Sequence, residues 1–103
     1  MVGLSLIIKS KSYQIDLIEA LRDPREAEEY LNAAREEKDP ELFLLALRNV
    51  AEAQGGMAQL ADKADLNRES LYRMLSEGGN PEFKSLEALL HALGFRLAVT
   101  LNR

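Results

Sequence analysis

The chain has 103 residues, of which 47% are hydrophobic and 29% are charged, with a formal net charge of −4. This predicts one soluble globular domain with a modest core, and the absence of Cys excludes disulfide bonds and thiolate metal sites. No apolar run reaches the ~20 residues of a membrane span, and the first residues lack the basic leader of a secretory signal. We therefore expect a cytoplasmic protein that contacts no membrane.

The charge is unevenly distributed along the chain. Residues 1–56 contain 7 Lys and Arg against 11 Asp and Glu, whereas residues 57–103 contain 6 of each. A neutral second half attracts phosphate only weakly, so DNA binding there would depend on dimerisation and on specific contacts. The acidic first half suits a basic protein partner, although a solvated acidic helix face would explain the same charges.

The first 22 residues predict a strand and a lead-in segment. Leu4, Leu6 and Ile8 alternate with other side chains, which predicts a short strand over residues 4–9. The apolar side chains of residues 13–21 fit either extended chain or one or two helical turns. We separate this lead-in, residues 1–22, from a helical unit at residues 23–103 within one domain.

Two helices follow with the same start signal. Asp23-Pro24 and Asp39-Pro40 each place Asp as the N-cap and Pro at the first helical position. They predict helices from Asp23 to about Lys38 and from Asp39 to about Ala53, the second ended by Gly55-Gly56. The side chains expected to be buried are Ala27, Tyr30, Leu31, Ala34, Leu42, Leu45, Ala46, Asn49 and Val50.

Residues 57–75 predict two short helices around a tight turn. Apolar or small side chains at three- and four-residue spacing give each helix a packing face: Leu60, Ala61, Ala64, Leu71, Met74 and Leu75. Leu66 fills the space between them and Asn67 caps the second helix, while Asp65 stands where Gly is usual in such turns. The side chains left outward are Asn67, Arg68, Glu69, Ser70, Tyr72 and Arg73. This unit places a polar face in the major groove of DNA, or is an ordinary helix pair of a small bundle.

The chain ends with a loop, a helix and a strand. Residues 76–81 have loop composition, with Asn80-Pro81 as a turn, and the last helix starts between Glu82 and Ser85 and ends at Gly94. Phe95, Leu97, Val99 and Leu101 then alternate with small or polar residues, which predicts a terminal strand. A lone strand needs a partner, either residues 4–9 or a second copy of the chain. We expect these four residues to form the interface of a homodimer.

The second half also resembles a known family. The motifs are Leu-Asn-Arg-Glu-Ser-Leu-Tyr-Arg-Met-Leu at 66–75, Gly-Asn-Pro at 79–81 and Ala-Leu-Gly-Phe-Arg-Leu at 92–97. Together with Asp-Pro-Arg-Glu-Ala-Glu-Glu-Tyr at 23–30, they resemble the HigA-like antidote proteins of bacterial addiction modules, in the Xre/Cro helix-turn-helix group. The resemblance covers roughly residues 16–98.

The resemblance implies a mainly α protein with a five-helix, lambda-repressor-like domain, to which the residue pattern adds the two short terminal strands. It also implies an antitoxin that binds a RelE/HigB-like mRNA-cleaving toxin and represses its own promoter. The alternatives are a stand-alone Xre-type regulator and a protein-interaction module without DNA binding. The net charge of −4 and Asp65 favour the interaction module.

The candidate DNA contacts are Gln59, Asn67, Arg68, Glu69, Ser70, Tyr72, Arg73, Lys84 and Ser85. Arg68 is expected to donate two hydrogen bonds to guanine, or else to pair with Glu69 or with phosphate. Glu69 is expected to accept a hydrogen bond from the amino group of cytosine, or simply to stabilise the helix N-terminus by its negative charge. If Tyr72 is exposed, it is expected to pack on a thymine methyl group or to hydrogen-bond to phosphate. The alternative is that its ring belongs to the core. Arg73 suits phosphate. The resemblance implies that Gln59 bonds the DNA backbone, although plain solvent exposure is the alternative.

Lys84 and Ser85 lie near the start of the last helix. They are expected to bind phosphate together with the backbone amides of the helix N-terminus, or else to be a solvated Lys and a capping Ser.

We expect no catalytic residue, metal site or cofactor. His91 is expected to be structural, and four aromatic residues to be core: Tyr30, Phe43, Phe83 and Phe95. The acids Glu26, Glu28, Glu29, Glu36 and Glu37 are expected to form a solvated face, since no companion base or ligand set accompanies them.

Overall fold

The computed structural model describes residues 11–102 as a mainly helical protein, which confirms the predicted class. Six helices lie in this part of the chain: α1 (Lys11–Ala20), α2 (Pro24–Glu36), α3 (Pro40–Ala53), α4 (Met57–Ala64), α5 (Arg68–Met74) and α6 (Phe83–Ala92). None of them combines the length and apolar character needed to cross a membrane. The predicted strand at residues 4–9 lies outside the described residues.

The five predicted helices are present, and α1, whose residues fit either helix or extended chain in the sequence, adds a sixth, so the five-helix count is not confirmed. The sequence of α1 has only weak helical periodicity, and the helix is stabilised by tertiary packing instead. Leu17 and Leu21, four residues apart, are 9% and 2% exposed and join the core, and α1 packs on α3. Packing of this kind commonly outweighs local preference.

The predicted starts of α2 and α3 are confirmed in atomic detail. The Asp23 carboxylate accepts a hydrogen bond from the backbone N–H of Arg25 at 2.9 Å, and Asp39 accepts one from Glu41 at 3.1 Å. Each Pro that follows the Asp begins its helix. The Asp side chains therefore satisfy N–H groups that have no partner within the helix.

The core is built around α3, which packs against α1, α2 and α4. Its most buried apolar side chains include Leu44, Leu47 and Ala51, which follow one helical face. Leu45, predicted to be buried, is 36% exposed because it lies off that face. Phe83 is likewise wrong as a core aromatic, since it is 66% exposed at the first residue of α6.

A buried polar network joins the first three helices. Asn49 of α3 is 4% exposed, accepts a hydrogen bond from Gln14 Nε2 of α1 at 2.9 Å and donates one to Tyr30 Oη of α2 at 3.0 Å. Burial raises the pKa of the Tyr30 phenol. The predicted inward position of Asn49 is confirmed, and its amide is satisfied on both sides, which removes the cost of burying it.

The segment at residues 95–102, called the C-terminal segment below, forms no strand in the single chain, contrary to prediction. The Phe95 N–H donates to the Leu90 carbonyl at 2.8 Å, after which the chain leaves the core. Val99 and Leu101 are 99% and 83% exposed. A strand requires the backbone groups of a neighbour, and none of the described residues supplies them.

Candidate nucleic-acid interface

The turn between α4 and α5 is closed by backbone hydrogen bonds. Asp65 has φ 58° and ψ 47°, the left-handed conformation that usually favours Gly. The Leu66 N–H donates to the Ala61 carbonyl at 2.9 Å, and the Asp65 N–H to the Asp62 carbonyl at 3.2 Å. Asp tolerates this conformation better than most residues, so Asp65 is compatible with the tight turn that the sequence predicted.

Asn67 begins α5 as predicted. Its side-chain Oδ1 accepts a hydrogen bond from the Ser70 N–H at 3.2 Å. Leu60, Ala61 and Leu71 are buried at 3%, 1% and 0% exposure, where α4 and α5 cross. The capping hydrogen bond and the buried contact between α4 and α5 together set the direction in which the remaining side chains of α5 project.

Four predicted site residues share the exposed side of α5: Arg68, Glu69, Tyr72 and Arg73. We call this set the α5 outer face. Arg68 and Tyr72 are four residues apart and so lie along one strip of the helix, and Glu69 and Arg73 lie along the next. Ser70 is half-buried and turned away from them.

The cations of the outer face are not neutralised by its carboxylate. The ion pair found among the described residues joins Arg22 and Glu19 at 3.0 Å, so Arg68 is not paired with Glu69. The guanidinium groups of Arg68 and Arg73 therefore remain available to a ligand. The alternative role of Arg68, a surface ion pair with Glu69, is therefore not observed.

The remaining candidates lie on other helices. Gln59 is exposed in the first turn of α4, and its amide lies so close to Gly55 that a Cβ there would overlap it. Lys84 is exposed and Ser85 half-buried in the first turn of α6, whose N-cap Glu82 makes no side-chain capping bond. Because α6 packs chiefly on α4, Lys84 and Ser85 lie at the N-terminus of a different helix from the exposed residues of α5.

The loop after α5 approaches that helix closely. The Gly79 N–H donates to the Ser76 carbonyl at 2.9 Å, and Ser76 Oγ donates to the Arg73 carbonyl at 2.7 Å. A Cβ at Gly79 would collide with the carbonyl of Met74. Glycine is therefore required here for the loop to close against the end of α5 and lead into α6.

One neighbour of the outer face was missed by the sequence analysis. The guanidinium carbon of Arg48, on α3, lies 5.6 Å from the centroid of the Tyr72 ring. The contact joins residues far apart in sequence, which local periodicity cannot predict. The available signal was that Arg48 is the one basic residue among residues 40–53.

The predicted dimer residues differ in their environment. Phe95 is half-buried against the core, whereas Leu97, Val99 and Leu101 are exposed. Among residues 11–102, no three acidic or His side chains come together as a possible metal site.

Comparison with known proteins identifies the family. Residues 11–101 match the profile of the family described as "Probable addiction module antidote protein". An uncharacterized protein of Haemophilus influenzae is 38% identical over 88 residues, covering 85% of this chain and 90% of that protein. No solved structure matches significantly. The chain therefore belongs to the addiction module antidote family, whose members act as antitoxins and imply a cognate toxin.

Proposed function

We propose that this antitoxin binds DNA through the α4–α5 unit, represses its own promoter and neutralises a RelE/HigB-like toxin that cleaves mRNA. The observation that carries the proposal is the α5 outer face, which leaves Arg68, Glu69, Tyr72 and Arg73 exposed beside a capped turn. Helix-turn-helix repressors insert such a helix into the major groove. In an addiction module, the antitoxin gene's own promoter is the natural target.

Each member of the outer face has a distinct role in this proposal. Arg68 donates two hydrogen bonds to guanine, and Glu69 accepts one from the amino group of cytosine. Tyr72 packs on a thymine methyl group, and Arg73 binds phosphate. A bidentate Arg contact contributes about 1–3 kcal/mol of discrimination against the wrong base. Gln59, Lys84 and Ser85 add phosphate contacts, and Asn67 acts mainly as the cap.

The proposed unit that binds DNA is a homodimer. The C-terminal segment exposes Leu97, Val99 and Leu101 at alternate positions, so an antiparallel pair of such segments would bring their apolar side chains onto one face. Pairing would also satisfy the backbone groups of both copies. The two α5 helices would then read half-sites about 34–36 Å apart.

Toxin binding is assigned to the acidic first half of the chain. Glu26, Glu28, Glu29 and Glu36 are exposed on α2, and residues 1–56 contain the whole net negative charge. A toxin that binds RNA carries positive charge, so electrostatic attraction would guide it to this half. In this proposal the toxin and the DNA contact different helices, α2 and α5.

The DNA part of the proposal is tested by fluorescence anisotropy with a duplex from the chain's own promoter and an unrelated duplex of equal length. We expect promoter binding to be at least about a thousandfold tighter, as is usual for specific repressors. Equal affinity for the two duplexes would contradict promoter recognition.

The toxin part is tested separately by co-expression with the adjacent gene. We expect the two products to co-purify and the antitoxin to restore growth and mRNA integrity. Absence of a small basic reading frame next to the gene would instead favour a stand-alone regulator.

A second candidate function is a protein-interaction module without DNA binding, which the net charge of −4 favours. Such a module would retain toxin binding, and its residual affinity for duplex DNA would be weak. The proposed repressor requires a steep linear fall of log affinity with log salt concentration. A slope near zero would support the interaction module.

A further inference from the structure

We propose that Arg48, which lies outside the helix-turn-helix unit, binds a DNA backbone phosphate and is positioned for this by Tyr72. The inference rests on the proposed DNA binding and extends the interface to α3. It assigns a ligand class, a phosphodiester, to a side chain that the helix-turn-helix pattern does not include.

The first observation is the environment of Arg48. It is half-buried on α3, and its guanidinium lies over the Tyr72 ring with 5.6 Å between the guanidinium carbon and the ring centroid. Within residues 11–102 the structure gives this side chain no ion pair and no hydrogen bond. The guanidinium of Arg48, with its five N–H donors, thus lies beside an aromatic ring, and no carboxylate neutralises its positive charge.

The second observation is where that cation lies. Tyr72 is 44% exposed and shares one strip of α5 with Arg68, four residues earlier. Arg48 therefore borders the α5 outer face on the side of Arg68 and Tyr72. A duplex that contacts Arg68 through base edges has its phosphates along the borders of that same groove.

A cation–π contact with an aromatic ring suits the guanidinium to this task. The guanidinium lies over the ring and makes no hydrogen bond or ion pair with the described residues, so its N–H groups remain free to donate. Phosphate oxygens accept two parallel N–H bonds from an Arg side chain, a geometry that the compact Lys ammonium does not offer. Tyr72 thus orients Arg48 and is a positioning residue in addition to its own contact.

The test is the salt dependence of promoter binding by the full chain and by Arg48→Gln. Loss of one phosphate contact lowers the slope of log affinity against log salt by about 0.9 per bound copy. Extrapolated from equal affinity at about 1 M salt, this change of slope makes the variant bind about fivefold more weakly per copy at about 0.15 M salt. The loss should be equal for promoter and unrelated duplexes, because phosphate contacts carry no sequence information.

Arg35 provides a matched control. Its guanidinium carbon also lies 5.6 Å from an aromatic centroid, that of Phe43, but it belongs to α2, which packs chiefly on α3. Arg35→Gln should therefore leave the salt slope unchanged. A slope that falls equally in both variants would overturn the proposal, because general loss of positive charge would then explain it.

The positioning role is tested at Tyr72. Tyr72→Phe keeps the ring, so Arg48→Gln should lower the slope in that background as it does in the parent. Tyr72→Leu removes the ring, so Arg48→Gln should there have a smaller effect. Equal effects of Arg48→Gln in the two backgrounds would show that the ring does not position the guanidinium.

The possible failures are distinguishable. If the parent chain does not bind the promoter, the proposed function fails. If the parent binds and folded Arg48→Gln retains its salt slope, only the present inference fails. A loss confined to the promoter duplex would also overturn it, since that result identifies a base contact.

Discussion

The α4–α5 unit and the C-terminal segment both follow from clear sequence periodicity, yet only the first is formed by the single chain. In the α4–α5 unit each requirement is met locally, by Asn67 as the cap, Asp65 in the turn and Leu71 between the helices. In the C-terminal segment the apolar alternation is equally regular, but Val99 is 99% exposed. A helix satisfies its own backbone groups, whereas a strand depends on a neighbour.

The largest expected contrast between the two regions comes from shortening one Leu in each. Leu71→Ala removes a side chain of 0% exposure and should lower the free energy of unfolding by about 2–5 kcal/mol. Leu101→Ala, at a position 83% exposed, should change it by less than about 0.5 kcal/mol. Urea denaturation at low protein concentration measures both, and similar losses would contradict the contrast.

The second contrast concerns assembly. Val99→Lys introduces a charge on the apolar side of the proposed strand pair and should weaken self-association by at least about tenfold, since like charges there would face each other across the pair. Thr100→Lys places the same charge on the opposite side and should change association much less. Sedimentation equilibrium distinguishes them, and equal effects would argue against a strand-mediated dimer.

A smaller effect is expected from the cap of α5. Asn67→Ala removes the acceptor for the Ser70 N–H and should cost about 0.5–2 kcal/mol. Asn102→Ala, at an exposed position of the C-terminal segment, should leave stability unchanged. Thermal unfolding followed by circular dichroism gives both values. Full stability of Asn67→Ala would mean that packing, and not the cap, defines the start of α5.

The smallest effect is expected at the left-handed turn residue. Asp65→Gly should raise the free energy of unfolding by less than about 1 kcal/mol, because relief of strain is partly offset by greater freedom of the unfolded chain. Asp65→Val should lower it, since a β-branched residue is strained at φ 58°. The same thermal unfolding experiment applies, and a more stable Val variant would contradict the assigned strain.

The sequence predicted those parts of the fold that have local causes. The starts of α2, α3 and α5 are set by Asp23, Asp39 and Asn67, whose side chains act on amides two or three residues away. The sequence of α1 fits both helix and extended chain, because the stability of this helix comes from Leu17 and Leu21 packing against distant residues. The exposed positions of Leu45 and Phe83 were missed for a related reason: residue type alone does not give the direction of the face.

The candidate site divides in the same way. Arg68, Glu69, Tyr72 and Arg73 could be placed together because one helical turn repeats within their spacing. Arg48 could not, because its position beside Tyr72 results from the packing of separate helices. Residues brought to a site by tertiary packing therefore require coordinates, whereas those within one helix do not.

The most direct test of the central claim compares Arg68→Ala with Arg25→Ala, an exposed Arg on α2, for binding to the promoter duplex and to a duplex altered at the contacted guanine. We expect Arg68→Ala to lose about 1–3 kcal/mol of discrimination between the duplexes, while Arg25→Ala retains it. A folded Arg68→Ala variant that discriminates as well as the parent would show that the α5 outer face does not read base edges.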